Sequence, residues 1–292
     1  MLHYTIFSFI WFSIFLSNVK IANRMNALVQ EFYHTSAKKG ESVFDSVLFL
    51  SESKESWEKT RALCGDLPRG WYELSRISCA DRIAFTRDFW IGKLSYHPSF
   101  YKFISDFFGR LDDVDVILSR ESKGAPWIAE MVYSLKENRS FFRGSPPCKE
   151  EDLAALKGSF NVILPRDYLS FLEIHNGFGK LSELGLLSAK EVISVREKLM
   201  NSLLANEKSL MNRGRVVDPG ALIPFFASFG TDSYQCFFSD WYPGNEMGNV
   251  YFSGIDYTLS ECSDPKEWFD QLAFPTFLDW MAFYMEGNSQ ER

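Results

Sequence analysis

The clearest hydrophobic pattern of the chain spans residues 164–177 and predicts a short helix with one buried face. Pro165 suits the first turn, where its missing N–H leaves no bond unmade, and Asp167 lies near the positive end of the helix dipole. Asn176 and Gly177 end the helix, because Gly177 can adopt a left-handed conformation. Positions at helical spacing define the predicted buried face, which consists of Leu164, Tyr168, Phe171, Leu172 and His175.

The pattern over residues 25–147 predicts an N-terminal α+β half. Residues 43–50 are expected to form a strand or a short helix, and the next segment is a helix with Ser53 or Ser56 as its N-cap. The sequence at 67–70 is typical of a turn, because it joins a proline to a glycine.

Two amphipathic helices are predicted next. The first starts at Ser78 or Asp81, and the second starts at Pro98 and closes at Gly109. Each carries apolar residues at helical spacing, so each is expected to bury one face. The expected buried residues are Ile83, Phe85, Phe89, Trp90 and Leu94 on the first helix, and Phe100, Phe103, Ile104, Phe107 and Phe108 on the second.

A turn that leads into a strand is predicted over 112–118, and a second strand at 127–135 completes this half. A Gly/Ser/Pro cluster follows at 143–147, and clusters of this composition separate structural elements. We therefore expect the domain boundary at this cluster, with a second domain over 148–287 and a short tail at 288–292.

The second domain begins with a predicted helix at 149–157, followed by the helix described above and a candidate strand at 181–187. Ser188 and Glu191 have the spacing of a capping box and predict the start of a longer helix. Residues 206–215 are polar and are expected to form a loop. The expected buried face of the longer helix is Val192, Val195, Leu199 and Leu203.

A strand-rich block and a final helix end this domain. Strands are predicted at 221–229, 234–238 and 248–253, and the last two flank a Pro-Gly-Asn turn typical of a hairpin. Thr276 and Asp279 predict the start of the final helix, whose expected buried face is Phe277, Trp280, Met281 and Tyr284.

Composition and charge exclude some classes of function. A net charge of −7 argues against a nucleic-acid-binding protein, which normally carries a basic patch, and is compatible with a basic protein partner. The five cysteines are far apart and form no CxxC pair, so they indicate neither a zinc site nor a disulfide framework, and a reducing cytoplasm fits best. No P-loop, GxGxxG or HExxH motif is present, and no cofactor is predicted.

The sequence LPRDYLSFLEIHNG at 164–177 resembles the LPxDYxxFLxxxNG signature of the SUKH superfamily, which includes the fungal Smi–Knr cell-wall regulators and many bacterial toxin-immunity proteins. The segment at 223–225, followed by 230–234, is similar to the hydrophobic–Pro–Phe and G-D-x-Y strand pair of that family. The resemblance covers roughly residues 148–287. The sequence departs from the family pattern at Phe178, where a second glycine is common, and in a richer insert at 240–246.

The resemblance implies an α+β fold, with a mixed and mostly antiparallel sheet and helices packed on it. It also implies a protein-binding scaffold without enzymatic activity, acting as an immunity-like protein or as a regulatory or scaffolding adaptor. Leu164, Pro165, Tyr168 and Phe171 are then markers of the fold. No resemblance covers residues 26–147.

Residues 1–24 are apolar and aromatic, and three alternatives remain open for them. Translation that begins at Met25 would make them an upstream extension of the reading frame. A membrane anchor needs about 20 apolar residues, and the run reaches about that length with serines and His3 within it. A signal peptide fits least, because the segment has neither a positive start nor a small-residue cleavage site.

The loops of the strand-rich block are the predicted protein-binding surface. Large aromatic side chains on a loop are costly to expose unless something covers them, so the insert is expected either to fold back on the N-terminal half or to anchor a partner. Carboxylates nearby would make the surface acidic. The candidate residues are Asp232, Tyr234, Asp240, Trp241, Tyr242 and Glu246, with a smaller contribution from the turn at Asn176 and Gly177.

Two rival classes of function remain. An enzyme would place its site in a cleft between the two halves, with His97, His175, Asp232 and Cys236 as candidates. His175 is more simply explained as a helix C-terminal residue that favours the dipole. A membrane-anchored structural protein depends wholly on residues 1–24. Three aspartates at 112, 113 and 115 lack the spacing of a calcium loop and predict a solvated turn, so no metal site is expected.

Overall fold

The computed structural model describes the chain in six stretches, and predictions outside them are not tested by it. Those outside include the extension at 1–24 and the tail at 288–292. No helix of the described stretches combines the length and the apolar character needed to cross a membrane. The described residues are 27–35, 44–136, 140–181, 185–206, 209–228 and 231–286.

Runs of helices are followed by runs of antiparallel strands along the chain, which confirms the predicted α+β class. The N-terminal elements are α1 (Ala27–Gln30), β1 (Ser46–Phe49), α2 (Trp57–Leu63), α3 (Arg69–Leu74), α4 (Cys79–Lys93), α5 (Pro98–Gly109), β2 (Leu111–Arg120), β3 (Ile128–Leu135) and β4 (Ser140–Gly144). The elements that follow are α6 (Glu150–Gly158), α7 (Arg166–Leu172), β5 (Phe178–Lys180), α8 (Ala189–Ala205), β6 (Met211–Asn212), β7 (Arg215–Val216), β8 (Leu222–Ala227), β9 (Ser233–Phe238), β10 (Asn249–Ser253), β11 (Thr258–Leu259), β12 (Ala273–Phe274) and α9 (Phe277–Glu286).

The chain divides into two compact units. The first unit lies within Met1–Ala84 and Gly109–Phe142, and the second within Phe85–Phe108 and Arg143–Arg292. The second unit therefore includes the C-terminal part of α4 and nearly all of α5, which precede β2 in the chain.

The first unit is built on antiparallel strand pairs. β1 pairs with β2, and β2 pairs with β3 over most of its length. A small aromatic core lies on this sheet, and the buried Tyr33 hydroxyl donates to Glu130 Oε2 at 2.6 Å. Ser56 accepts from the N–H of Lys59 and caps α2, so one of the two predicted N-caps is confirmed.

One detail of the first unit differs from prediction. Residues 67–70 do not form an isolated turn, because Pro68 is the N-cap of helix α3. Proline fixes φ and is tolerated at a helix start, so the same Pro-Arg-Gly sequence serves as a helix entry.

The motif helix, which is the helix predicted within residues 164–177, forms in the second unit as the sequence pattern predicts. α7 follows Pro165, and its buried face contains Tyr168, Phe171 and Leu172. Leu164 and His175 are buried as well. Gly177 has a φ of +110°, a value that favours glycine over any residue with a side chain.

The sheet of the second unit has the order β8–β9–β10, and β10 pairs on its far side with β11 and β12. The predicted hairpin is confirmed by the antiparallel register of β9 with β10. The register shifts between Pro224 and Phe226, which fits a proline that cannot donate to the strand ladder.

An aromatic core joins the helices of this unit to its sheet. Tyr168 on α7 packs against Phe225, Phe237 and Phe277 at ring-centroid separations between 5.0 and 5.9 Å. Burying an aromatic side chain of this size contributes on the order of 2–3 kcal/mol each. α7 is therefore held between the sheet and α9 by side chains that the periodicity assigned to its buried face.

Four further predictions in the second unit need correction. The polar stretch at 206–215 contains the short strands β6 and β7, and the cluster at 143–147 begins with the last two residues of β4. Of the strand expected at 181–187, the described residues show single antiparallel bridges from Leu186 to Phe178 and to Phe226, while the regular strand β5 precedes Leu181, whose φ is +53°. Helix α4 buries Trp90 but leaves Phe85 64% exposed, together with Phe89.

Candidate functional site

The strand topology separates the predicted binding residues into two groups. Asp232 directly precedes β9, whereas Asp240, Tyr242 and Glu246 lie in the connection between β9 and β10. A strand rises about 3.3 Å per residue, so the six residues of β9 hold these groups roughly 20 Å apart. The loops thus do not form one continuous surface, and each end of the strands has its own chemistry.

Two turns meet at the end of the sheet that carries Asp232. The Gly254 N–H donates to the Asp232 carbonyl, and a Cβ at Gly254 would lie 2.7 Å from that oxygen. Glycine is therefore required for the close approach of the turns. The acidic tip is defined here as Thr231, Asp232, Gly254, Ile255 and Asp256, which the two turns contribute.

The acidic tip combines charge with exposed apolar surface. Asp232 and Asp256 are exposed, and Ile255 between the turns is 68% exposed. The Tyr234 hydroxyl donates to Asp232 Oδ1 at 3.2 Å, so the structure brings these two predicted residues together. Partial burial raises the pKa of Tyr234, and the neighbouring Asp232 carboxylate raises it further.

A cavity of about 500 Å³ opens beside the acidic tip. Its lining includes Ile255 and Asp256 from the tip and the exposed Phe283 from α9. Serine, threonine and tyrosine hydroxyls form much of the remaining lining, and the Tyr251 hydroxyl lies 3.0 Å from Ser233 Oγ. The described lining contains no lysine or arginine.

The surface at the opposite end of the strands carries both acidic and basic side chains, and Trp241 is not part of that surface. Trp241 is only 5% exposed and packs edge-to-face on Trp268 at 5.2 Å. Gly248 leaves room for this ring, since a Cβ there would lie 2.5 Å from it. The expectation that Trp241 anchors a partner at the surface is therefore corrected: the side chain belongs to the core of its own unit.

Tyr242 remains 51% exposed and lines an open groove of about 880 Å³ with Glu246. Glu246 Oε2 accepts from the Arg166 N–H at 2.9 Å, so this carboxylate binds the first residue of α7. The Arg166 side chain shares the groove, which is therefore not uniformly acidic.

The turn at Asn176 and Gly177 has a structural use. Asn176 Oδ1 accepts from the Ala189 N–H at 2.8 Å, at the start of α8. Ser188 and Glu191 form the predicted capping box at the same point. The side chain of Asn176 thus helps to satisfy the first N–H groups of α8, and only its half-exposed edge faces outward.

The order of these elements, the buried face of α7 and the β8–β9 pair that contains Pro224 are the features expected of a SUKH domain. Residues 147–282 match the SMI1 / KNR4 family (SUKH-1). The match confirms the resemblance found in the sequence and covers just under half of the chain. The residues before it match no family. No curated protein matches the chain.

The candidates for a catalytic site are dispersed in and around the SUKH-1 segment. Cys236 is fully buried in β9, and burial raises its pKa, while Asp232 lies at the exposed tip. His97 lies 3.9 Å from Asp279 beside a cavity of about 110 Å³ whose lining contains none of the other candidates. These side chains do not share a described cavity.

His175 is a buried structural residue. Its Nδ1 lies 2.8 Å from the Ser145 carbonyl, and its ring stacks on Phe178. Burial lowers the pKa of His175 to about 4, so the ring is neutral at pH 7 and Nδ1–H donates to that carbonyl. A neutral ring has no charge with which to stabilise the helix dipole, so the explanation of His175 as a residue that favours the dipole is corrected.

Asp167 is the residue whose role the sequence interpretation missed. It is buried, and it accepts from the N–H groups of Tyr168 and Leu278 at 2.8 and 3.0 Å. Burial raises the pKa of Asp167 to about 6. The carboxylate thus ties the motif helix to the start of α9. Its place in the SUKH signature was the available signal, but the partner at Leu278 depends on the tertiary fold.

The three aspartates of the first unit lie in a strand, so the predicted solvated turn is corrected. Asp113 binds the buried Arg82 guanidinium with both carboxylate oxygens, at 2.7 and 2.8 Å. Asp115 accepts from Ser51 at 2.6 Å, and burial raises the pKa of Asp115 to about 6. Within the described stretches, no three His, Cys, Asp or Glu side chains are grouped to hold a metal ion.

Proposed function

We propose that the chain is a non-enzymatic protein-binding module of the SUKH type that acts in the cytoplasm as an immunity-like or regulatory adaptor. Its partner is a basic protein, and the acidic tip is the surface that binds it. The match of residues 147–282 to the SUKH-1 family supports the class of module. The observation that carries the choice of surface is the pairing of two exposed carboxylates with an exposed isoleucine at the tip.

The charge of the tip favours a basic partner. Asp232 and Asp256 project from adjacent turns, and the described lining of the neighbouring cavity has no lysine or arginine to neutralise them. Charges at an interface rim steer association and select against partners of like charge. The net charge of −7 also attracts a basic partner at long range.

The apolar surface of the tip gives the partner a place to anchor. Ile255 is 68% exposed and Phe283 is 43% exposed, and both line the cavity of about 500 Å³. A partner side chain that enters this cavity would be removed from water. Interface residues contribute most to affinity when they are buried in such desolvated pockets. Hydroxyl groups of the lining can bond a lysine or arginine that enters.

The test is affinity purification with the full chain, followed by titration of the recovered partner. We expect the double variant Asp232→Lys with Asp256→Lys to lose the partner, because it reverses the charge of the tip. Ile255→Asp is expected to weaken binding by at least about tenfold through loss of the apolar contact. The affinity of the wild type should fall with rising salt.

Tyr242→Ala is the matched control, because Tyr242 is exposed at the opposite end of the strands. It should keep the wild-type affinity. Equal affinity for the wild type and the charge-reversed tip, or loss of the partner in Tyr242→Ala alone, would move the binding surface to the other end. Recovery of an acidic partner would contradict the proposed charge complementarity.

A further inference from the structure

A second cavity in the C-terminal unit, away from the acidic tip, has basic and aromatic lining. It has a volume of about 540 Å³ and lies against the hairpin of β6 and β7. Its lining includes Asn212, Arg213, Arg215, Phe238, Asp240 and Trp241. Two arginines on one short hairpin stand out in a chain whose net charge is −7.

Neither arginine forms an ion pair with a carboxylate among the described residues, and one of the two is held in place by a hydrogen bond. Arg213 adopts a φ of +51° in the hairpin turn, and its Nη2 donates to the Cys262 carbonyl. The same carbonyl accepts from Trp268 Nε1 at 3.2 Å. The Arg213 guanidinium is thereby fixed by a neutral acceptor and not by a carboxylate.

The floor of the cavity is apolar and already ordered. Trp241 and Phe238 are both buried, and Trp241 is locked between Trp268 and Gly248. Asn212 is buried and donates to the Ser260 carbonyl at 2.9 Å, which fixes the base of the hairpin. An incoming group would meet a preordered floor, so little ordering of the floor would oppose its binding.

We propose that this cavity binds an oxyanion carried on an aromatic or apolar body, with a phosphate monoester as the best match. A dianionic phosphate can engage two guanidinium groups, and arginine pairs with phosphate in bidentate geometry. The cavity is much larger than a bare anion, and its aromatic floor suits an attached ring. Asp240 at the rim opposes the anion, so it tunes the affinity downward.

The test is calorimetric titration of the full chain with phenyl phosphate, and inorganic phosphate and phenol serve as parallel probes. Phenyl phosphate is expected to bind more tightly than inorganic phosphate, and phenol is expected not to bind. Arg215→Gln should weaken phenyl phosphate by about tenfold or more. The side chain of Arg215 has no bonding partner among the described residues, so this change is expected to leave the fold intact.

Two more variants sharpen the assignment. Arg213→Asn keeps a residue that tolerates a positive φ and should also weaken binding by about tenfold. Asp240→Asn removes the opposing charge and should tighten binding severalfold. Arg166→Gln, at the separate groove, should leave it unchanged. No binding of phenyl phosphate at about 10 mM, or equal affinity in Arg215→Gln and the wild type, would overturn the proposal.

Discussion

We expect protonation of His175 to destabilise the C-terminal unit at acid pH, and we expect the substitution His175→Gln to remove that contribution. The ring is fully buried and its Nδ1–H donates to the Ser145 carbonyl. The pKa of His175 is lowered to about 4 from the ordinary value of 6.5. On acidification, the unfolded chain therefore protonates His175 before the folded chain does. The contribution of neutral His175 to the free energy of unfolding is fully present above pH 6.5 and is lost as the pH falls towards 4.

The size of the effect follows from the difference of the two pKa values. Each unit corresponds to about 1.4 kcal/mol, so full protonation would cost about 3 kcal/mol of stability, of which about 2 kcal/mol is lost by pH 5. Two buried carboxylates act in the opposite direction. The pKa values of Asp115 and Asp167 are raised to about 6, and each favours the folded state as the pH falls from 6 to 4.

The assay is therefore a comparison and not a single pH profile. Urea unfolding of the wild type and of His175→Gln, followed by near-ultraviolet circular dichroism at several pH values, cancels the contributions of the carboxylates. The difference in unfolding free energy should change by about 2 kcal/mol between pH 7 and pH 5, in the direction that hurts the wild type. A difference that does not vary with pH would refute the buried neutral histidine.

The remaining predictions concern the same unit. Gly144→Ala should lower the free energy of unfolding of this unit by about 2–3 kcal/mol in urea unfolding, because the new Cβ would lie 2.4 Å from the His175 ring. Gly158→Ala is the control and should not lower it, because a Cβ at Gly158 has no atom within 4 Å. Tyr168→Phe should change stability by less than about 0.5 kcal/mol, because no described residue bonds the buried hydroxyl. Asp167→Asn should remove the contribution of about 2 kcal/mol that protonation of Asp167 makes to folding stability as the pH falls from 6 to 4, measured as the pH dependence of the difference from the wild type in urea unfolding.

Much of the fold could be predicted because periodicity and capping are local. The motif helix, the capping box at Ser188 and the hairpin of β9 and β10 were read from residues close together in the chain. The family resemblance could be recognised for the same reason, since its signature lies within residues 164–177. The β6 and β7 strands were missed because each has only two residues, too few to show a period.

The candidate site was only partly predictable, since it depends on which turns meet. Asp232 was identified from its turn, but Ile255 and Asp256 become its neighbours only through the antiparallel pairing of β9 with β10. The burial of Trp241 could not be predicted, because the local sequence of a loop tryptophan is the same whether its side chain faces solvent or packs on Trp268. The adjacent Gly248, which leaves room for the ring, was the available signal.

The exposed aromatic residues of α4 show a further limit. Trp90 and Thr86 are buried, and the neighbouring positions Phe85 and Phe89 are exposed. Both pairs have helical spacing, so the apolar pattern alone favours the phenylalanine face. Which stripe turns inward is decided by tertiary packing, and here Trp90 packs on Phe107 and Phe171.

The most direct test of the central claim is the affinity of the recovered partner for three forms of the chain under one salt condition. We expect the wild type and Tyr242→Ala to bind with the same affinity, and we expect the double variant Asp232→Lys with Asp256→Lys not to bind. Undiminished binding by the charge-reversed form, with its fold verified by circular dichroism, would contradict protein recognition at the acidic tip.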